Sequence, residues 1–368
     1  MTYSRQLPDW PEYRWNRDRL AEPLAAISRQ HGRIIGHMQA LGFQLRQEAV
    51  LQTLTADVLK TSEIEGENLD AGQVRSSIAR RHGMDIAGLI PADRNVEGIV
   101  EMMLDATRNY ANPLTDERLF AWHASLFPTG RSGITRITVG AWRDDKSGPM
   151  QVVSGPLGRE KVHYEAPEAA RLEREMTAFL KFFNYEDGGD PLLKAALAHL
   201  WFVTIHPFED GNGRIARAVG DMQLARSEGS PQRFYSMSAQ IREERQAYYD
   251  ILNETQHGTM DITPWMEWFL ACLGRAISRA QDTLANVLAK ARFWETVQNA
   301  PFNERQRMML NKFFDGFEGN LTTAKWAKLA KCSHDTALRD IQDLIARGIL
   351  LQNPGGSRST SYSLAARS

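Results

Sequence analysis

The chain has 368 residues, 42% of them hydrophobic and 24% charged, and its 44 Lys/Arg nearly balance its 45 Asp/Glu. This composition excludes a disordered, collagen-like or disulfide-rich chain, and the length predicts two or three domains. The two cysteines have no metal-ligand spacing and favour a reducing compartment. The N-terminus has no apolar signal segment, and the most apolar run is shorter than the ~20 residues of a membrane span. We therefore expect a soluble protein of the cytoplasm.

The near-neutral total charge conceals a difference between the two ends of the chain. Residues 301–368 contain ten Lys/Arg and six Asp/Glu, a balance of +4, which leaves −5 for the first 300 residues. A basic C-terminal segment on a mildly acidic body suggests separate roles for the two parts.

Hydrophobic spacing predicts a mainly α-helical chain. An aromatic-rich N-terminal stretch leads into helix, and a segment without Gly or Pro predicts a helix from about 44, ended by Gly66. Further helices are predicted at 96–110, 116–126, 168–183, 192–206, 213–226 and 241–256, with a helical pair at 265–299.

The stretch between Gly130 and Pro167 has a different pattern from the rest of the body. It combines frequent Gly and Pro with short β-branched runs. That pattern predicts a β-hairpin with strands Met150–Val153 and Lys161–Tyr164.

The most informative stretch is His206-Pro207-Phe208-Glu209-Asp210-Gly211-Asn212-Gly213-Arg214, with Arg217 three residues on. Pro207 disfavours helical geometry at the preceding residue, so a helix is predicted to end there and present the imidazole of His206 at its tip. The glycines suit a backbone that turns its N–H groups toward one point. A helix begins near Gly213, and its N-terminus is an anion site.

The side chains around this anion site have complementary chemistry. Arg214 and Arg217 share one face of the first helical turn, Asp210 offers a hard oxygen for Mg²⁺, and His206 is placed to act as a general base. Such a set is typical of phosphoryl or nucleotidyl transfer. The alternatives are a plain Asp-Gly or Asn-Gly turn and a structural His-Pro at a helix end. A calcium loop is excluded because Arg214 and Ile215 stand where a ligand and a glycine are required.

HPFEDGNGRIAR resembles the signature of the Fic family, HPFx(D/E)GNGRxxR, at every specified position. The resemblance covers about Val96 to Phe269 and implies a Fic-type helical core that transfers AMP from ATP to a Ser, Thr or Tyr hydroxyl of a target protein. It implies that His206 deprotonates the hydroxyl and that Asp210 holds Mg²⁺. The phosphates would be bound by Gly211, Asn212, Gly213, Arg214 and, at the γ-phosphate, Arg217. Relatives with Lys in place of Gly213 favour phosphorylation, so the glycine favours AMP transfer.

A second segment, Thr61-Ser62-Glu63-Ile64-Glu65-Gly66, can be interpreted as a plain helix end, or as a capping box between Ser62 and Glu65. It also resembles the family's inhibitory pattern (S/T)xxxE(G/N), with Thr61, Glu65 and Gly66 at the defining positions. On a helix about 44–66, the Thr61 hydroxyl could hold the Glu65 carboxylate one turn away. The resemblance implies an N-terminal inhibitory helix on which Glu65 pairs with Arg217 and denies it to ATP.

The resemblance also suggests roles for the hairpin and for a nucleotide pocket. In the family, such a hairpin is a flap that binds the target backbone as an added strand, which indicates Val152, Val153, Val162 and His163 here. Tyr249 and Gln256 match positions near the family's adenine pocket, although many relatives carry Asn where Gln256 stands. Relatives are often homodimers, and we expect the same of this chain.

Residues 301–368 predict three helices and a short hairpin, and they resemble a winged helix-turn-helix domain, which has an α+β fold. Ser333 is a predicted N-cap of the third helix. The resemblance places His334, Asp335, Thr336 and Arg339 on the recognition helix and Arg358 in the wing. Such domains bind either DNA or protein, and both remain open because +4 is a modest charge for a DNA-binding surface.

The sequence thus predicts three parts: an N-terminal helical region at 1–95, a catalytic core with linker helices at 96–300, and a winged helix at 301–368. The favoured function is autoinhibited protein adenylyltransfer with Mg²⁺ and ATP. The alternatives are removal of AMP or another phosphoryl or nucleotidyl transfer at the same site, and a DNA-binding regulator whose core senses nucleotide.

Overall fold

The computed structural model describes residues 3–39, 43–84, 89–146, 148–155, 159, 161–185, 189–298, 300–314, 319–354 and 360–365. The chain divides into two compact units, Met1–Gln281 and Asp282–Ser368. No helix within these described ranges has both the length and the hydropathy needed to cross a membrane.

The first unit is built mainly from helices, as the sequence predicts. Several begin with a side-chain cap, such as Asp93 and Asp190, which accept a hydrogen bond from the first turn. Two short 3-10 helices occupy Ser4–Gln6 and Ala169–Arg171. The α-helices up to residue 296 are α1 Arg17–Gln39, α2 Phe43–Ile64, α3 Ala71–Arg81, α4 Arg94–Arg108, α5 Asp116–Leu126, α6 Leu172–Tyr185, α7 Pro191–Ile205, α8 Asn212–Glu228, α9 Met237–Glu243, α10 Arg245–Gln256 and α11 Thr263–Thr296, whose residues from Asp282 on belong to the second unit.

The predicted hairpin is present. Its strands are β3 Gln151–Ser154 and β4 Lys161–Glu165, within one residue of the prediction, and they pair antiparallel with an irregular register between Val152 and Val153. A smaller antiparallel pair, β1 Arg131–Ser132 and β2 Thr135–Arg136, precedes it.

Helices α7 and α8 pack along each other at the centre of the first unit. Almost all of α7 after its first turn is buried, which explains its nearly continuous apolar sequence. Helix α2 packs on α9, and buried Asp57 joins the two, because its Oδ1 accepts hydrogen bonds from the Ser236 hydroxyl and the Ser238 N–H. These contacts hold α2, α7 and α8 in place. The C-terminal ends of α2 and α7 and the start of α8 form the candidate active site.

Two helix predictions were wrong. The expected pair at 265–299 is one helix, α11, because its only internal Gly or Pro after the first turn is Gly274, and a single Gly costs a helix only about 1 kcal/mol. The expected single helix at 241–256 is divided at Glu244, whose backbone leaves helical geometry. Glu244 pairs with Arg275, a long-range contact that local sequence does not encode.

The second unit has its elements where the sequence places them. They are α12 Glu304–Phe314, α13 Thr323–Leu329, α14 His334–Ala346, β5 Leu350–Gln352 and β6 Tyr362–Leu364, the last two antiparallel. Trp326 is at the centre of its apolar core, and Ser333 caps α14 as predicted.

The exposed face of α14 carries part of the predicted recognition surface. His334, Asp335 and Arg339 are exposed, whereas Thr336 is half-buried and bonded to Ser333. Asp340 is buried, and its Oδ2 lies 2.7 Å from Arg305 Nε. Arg358 lies outside the described residues. The winged-helix assignment, DNA binding and the three-part division of the chain stay predictions.

Candidate active site

His206 stands at the tip of α7, as Pro207 predicts. The helix ends at Ile205, and His206 adopts a left-handed conformation with φ 54°, which is uncommon for a residue with a side chain and typical of functional sites. Its Nδ1 lies 3.1 Å from the carbonyl oxygen of Val203. Since a carbonyl only accepts, Nδ1 carries the proton, and Nε2 of the neutral ring is the acceptor nitrogen.

The imidazole of His206 is neutral at physiological pH. Burial lowers its pKa to about 4, against a smaller raising effect of the hydrogen bond to Val203, and the nearby Arg143 lowers it further. A base that is already unprotonated at pH 7 can accept a proton without a prior ionisation step.

The loop after His206 is held by side chains on both of its faces. The Asn212 amide accepts from the Phe208 N–H at 2.9 Å and donates to the Phe208 carbonyl at 2.8 Å. The ring of Phe208 stacks on His123 at 4.2 Å, and His123 Nε2 lies 3.2 Å from the carbonyl oxygen of Asp210. Arg143 Nε donates to the His206 carbonyl at 2.8 Å. The loop is therefore held by contacts within the protein.

The loop ends in the N-terminus of α8. Gly211 has φ 80°, where a side chain would be strained, and an added Cβ would lie 2.9 Å from the ring of Phe127. The helix begins at Asn212, so the N–H groups of its first turn have no partner within the helix, which is what the predicted anion site requires.

Asp210 offers one carboxylate beside this anion site. Its Oδ1 accepts from the Gly211 N–H at 2.5 Å, and the Ser132 hydroxyl donates to Oδ2, while 42% of the side chain remains exposed. Within the described part of the chain, no group of three or more His, Cys, Asp or Glu could hold a metal. A single carboxylate fits Mg²⁺, which usually binds through one or two carboxylates together with substrate phosphates and waters.

Arg217 is buried and carries the predicted partner. Its Nη2 donates to Glu65 Oε1 at 2.7 Å and to the Thr61 carbonyl at 2.9 Å. Its Nε donates to the Thr61 hydroxyl at 2.7 Å. Thr61 therefore holds the arginine rather than the Glu65 carboxylate, contrary to the i, i+4 expectation, because Glu65 lies in the turn after α2. Although burial lowers the pKa of Arg217, Glu65 raises it above its ordinary value.

The alternative capping box at this turn does not form. Ser62 donates to the Val58 carbonyl instead, and the next helix, α3, is capped by Asp70. Gly66 takes φ 85°, which ends the turn after Glu65.

Glu65 occupies the anion site at the start of α8. A Cβ added at Gly213 would lie 2.2 Å from Glu65 Oε1, so the carboxylate rests against the bare Cα of the glycine. A carboxylate at a helix N-terminus is stabilised by the helix dipole. A carboxylate of the protein itself, that of Glu65, therefore lies at the predicted anion site.

Arg214 pairs with Glu67, a partner that the sequence analysis did not name. Its Nη1 donates to Glu67 Oε2 at 2.8 Å, and its guanidinium lies 5.1 Å from the centre of the Phe127 ring. The side chain of Arg214 is 2% exposed and that of Glu67 47%. Both arginines of the motif therefore pair with carboxylates from the same short segment.

A cavity of about 750 Å³ joins most of the predicted residues. One wall is the hairpin, including Val152, Val153 and His163, and another is α10, including Tyr249 and Gln256. The floor consists of Glu65, His206, Asp210, Gly211, Asn212 and Gly213. Thr61, Gly66, Arg214 and Arg217 are not part of the lining. Val162 is not part of it either and is 44% exposed.

Four supporting residues were missed at the sequence level: Glu67, His123, Ser132 and Arg143. Glu67 had a signal, since it is a carboxylate two positions after Glu65. The others are 63 or more positions before the motif residues they contact, and no local pattern marks them.

Comparison with known proteins assigns families to two parts of the chain. Residues 113–224 match the Fic/DOC family, and residues 3–84 match a domain of unknown function, DUF4172. A protein adenylyltransferase Fic from Nematostella vectensis is 37% identical over 114 residues, which cover 30% of this chain and 25% of that protein. One from Culex quinquefasciatus is 26% identical over 267 residues, covering 71% and 46%. The chain thus spans less than half of the length of these relatives.

Solved structures show the same fold. A Fic family protein from Desulfovibrio desulfuricans superposes with a TM-score of 0.53 at 21% identity, covering 95% of this chain and 96% of that one. A Fic-domain signaling protein from Bacteroides thetaiotaomicron gives 0.51 at 21% identity, covering 69% and 95%.

Proposed function

Because the chain carries a Fic/DOC domain at residues 113–224, we propose that it transfers AMP from ATP to a Ser, Thr or Tyr hydroxyl of a target protein. The observation that carries the proposal is the pairing of a neutral His206 with the anion site of α8 in one cavity. The adenylyltransferase names of the relatives agree with it.

In the proposed reaction, His206 Nε2 accepts the proton of the target hydroxyl. The hydroxyl oxygen then attacks the α-phosphorus of ATP, the bond to the bridging oxygen breaks, and pyrophosphate leaves. The N–H groups at the start of α8, with Arg214 and Arg217, would stabilise the charge that develops on the phosphates. Tyr249 and Gln256 line the same cavity and would contact the adenine. On the flap, Val152, Val153, Val162 and His163 would contact the target backbone.

Asp210 would hold Mg²⁺ together with the phosphates. The ion would neutralise part of the phosphate charge. Ser132 and the Gly211 N–H orient the carboxylate for that role without occupying all of its acceptor positions.

We further propose that the free protein is autoinhibited by two carboxylates. Glu65 pairs with Arg217 and Glu67 with Arg214, so ATP would have to displace both before its phosphates reached the arginines. Thr61 strengthens the first pair by accepting two hydrogen bonds from Arg217. A charge-assisted pair in a shielded site is a strong competitor for the same guanidinium.

Glu67→Ala is expected to lower the Kd of MgATP up to about fivefold, both alone and in the Glu65→Gly background. The reason is that ATP has to displace Glu67 in either protein, and a half-exposed ion pair is worth ~0.2–1 kcal/mol. Isothermal titration calorimetry of the intact protein, the two single variants and the double variant measures both effects. An unchanged Kd on removing Glu67 in the Glu65→Gly background would contradict the two-carboxylate proposal.

The pH dependence should report the low pKa of His206. Burial favours the neutral imidazole, so the base is lost only as pH falls through about 4. NMR titration of the free protein should therefore show the His206 ring unprotonated from pH 8 down to about 5, with a His206→Asn spectrum to assign the resonance. A midpoint near the ordinary value of ~6.5 would show that burial does not lower the pKa of this ring.

Other chemistries at the same site can be distinguished with labelled ATP. Label from the α-phosphate on protein indicates AMP transfer, whereas label from the γ-phosphate alone indicates phosphorylation. Loss of label from a premodified protein indicates AMP removal. No label even with Glu65→Gly would favour a DNA-binding regulator that senses nucleotide. DNA binding by residues 301–368 and homodimer formation remain predictions.

A further inference from the structure

The first described residues of the chain contact two walls of the cavity. Tyr3–Gln6, here called the N-terminal brace, packs on α10 and reaches the end of β4. Both β4 and α10 line the cavity. Within the brace, Ser4 is 3% and Arg5 6% exposed.

Arg5 binds the last residue of β4, Glu165, at the base of the hairpin. Its Nε donates to the Glu165 carbonyl at 2.7 Å, and its Nη2 donates to Glu165 Oε1 at 3.3 Å. The other carboxylate oxygen of Glu165 accepts from Gln151 Nε2 at 3.0 Å. Since Gln151 and Glu165 are the first residue of β3 and the last of β4, the guanidinium fixes the base of the hairpin.

Tyr3 connects the same hairpin to α10. Its ring meets Tyr164 of β4 edge-on at 5.2 Å and lies 4.8 Å from the ring of His257, the residue that ends α10. The Tyr164 hydroxyl in turn donates to the Thr204 carbonyl, two positions before His206. The brace is thus continuous with the segment that carries the proposed base.

The hairpin needs such support. A two-stranded hairpin is marginally stable by itself in water. This one has an irregular register and exposes Val153 and Val162 at 47% and 44%. A buried arginine whose hydrogen bonds go to the hairpin ties that hairpin to the body of the unit.

We propose that the brace, through Arg5 as its positioning residue, holds the hairpin against α10 and so fixes the flap over the nucleotide cavity. It gives residues 3–6 of the DUF4172 segment a role in ordering the site rather than in the chemistry. One consequence rests on the proposed function: the ordered flap would present its strand to the target protein.

Arg5→Ala tests the brace by hydrogen exchange. Amides of β3 and β4 should exchange about tenfold faster, since hydrogen bonds to a charged group are worth ~1.5–3 kcal/mol, while the amides of α8 keep their protection. Arg5→Lys retains a donor and should restore part of the effect. Arg14→Ala is the matched control, because Arg14 is 67% exposed and pairs with Asp9 on the surface. Unchanged exchange in the hairpin, or equal loss of protection throughout the unit, would overturn the proposed role of the brace.

The consequence for target docking has its own readout. In the Glu65→Gly background, Arg5→Ala should reduce α-phosphate labelling of lysate proteins about tenfold with the Kd of MgATP unchanged. Undiminished labelling beside faster hairpin exchange would refute the docking role. If Glu65→Gly labels no protein, the proposed function fails. The exchange measurement still tests whether the brace holds the hairpin.

Discussion

Glu65→Gly is expected to raise α-phosphate labelling of target proteins by about 10- to 100-fold. In the intact protein, the Glu65 carboxylate accepts a hydrogen bond from the charged Arg217, a contact worth ~1.5–3 kcal/mol. In the proposed autoinhibition, that energy opposes ATP binding. Removing Glu65 takes the competing carboxylate from Arg217 and clears the first turn of α8, where the carboxylate rests against Gly213. Labelling with purified protein and α-labelled ATP measures the gain.

Glu63→Ala is the matched control for this experiment. Glu63 lies on the last turn of α2 and pairs with Lys60 at 2.8 Å rather than with an arginine of the motif. Its loss removes the same charge from the same segment without exposing Arg217. Equal labelling by Glu63→Ala and Glu65→Gly would mean that bulk charge, not the Arg217 contact, sets the activity.

Glu65→Gly should lower the thermal stability of the protein while it raises the labelling activity. In Glu65→Gly, the buried Arg217 loses its carboxylate, and a charge left unpaired in this way is destabilising. We expect a lower Tm than for the intact protein, and a larger rise in Tm on adding MgATP, because a ligand stabilises the state that binds it. A lower Tm without any response to MgATP would indicate damage to the fold rather than release of the site.

In the proposed autoinhibition, the movement that admits ATP need not involve the whole of α2. Buried Asp57 attaches α2 to the start of α9, and Thr61 keeps two hydrogen bonds to Arg217 that do not depend on Glu65. The carboxylates of Glu65 and Glu67 instead lie beyond the last helical residue, Ile64, on either side of Gly66 with its φ of 85°. Displacement of this short turn is thus the smallest change that takes both carboxylates away from the arginines.

Local rules account for the parts of the site that the sequence predicted. Pro207 alone ends α7 and places His206 at its tip, and the Gly-Asn-Gly run is sufficient to begin α8 with free N–H groups. The hairpin followed in the same way from turn residues and β-branched runs. Each of these depends on residues within a few positions of one another.

Contacts between distant segments account for what the sequence could not predict. Ser132 reaches Asp210 across 78 positions, and Arg143 reaches the His206 carbonyl across 63. The Thr61 hydroxyl was expected on Glu65 from helical spacing, but Arg217, 156 positions away, takes it because the helix stops before Glu65. Periodicity describes a helix face and not the partner that covers it.

His206→Ala in the Glu65→Gly background is expected to reduce AMP transfer by ~10²–10⁴-fold, the usual contribution of a positioned general base. The Kd of MgATP should not change, since the phosphates are bound by α8 and the two arginines rather than by the imidazole. Labelling and calorimetry on the same preparation separate these two effects.

The backbone at His206 requires a second variant. Its left-handed φ of 54° strains an alanine, whereas asparagine tolerates that conformation. His206→Asn therefore removes the basic nitrogen with less cost to the loop, and both variants should lose transfer equally if proton acceptance is the role of this residue. A loss in His206→Ala that His206→Asn restores would show that His206 shapes the loop and that another group accepts the proton.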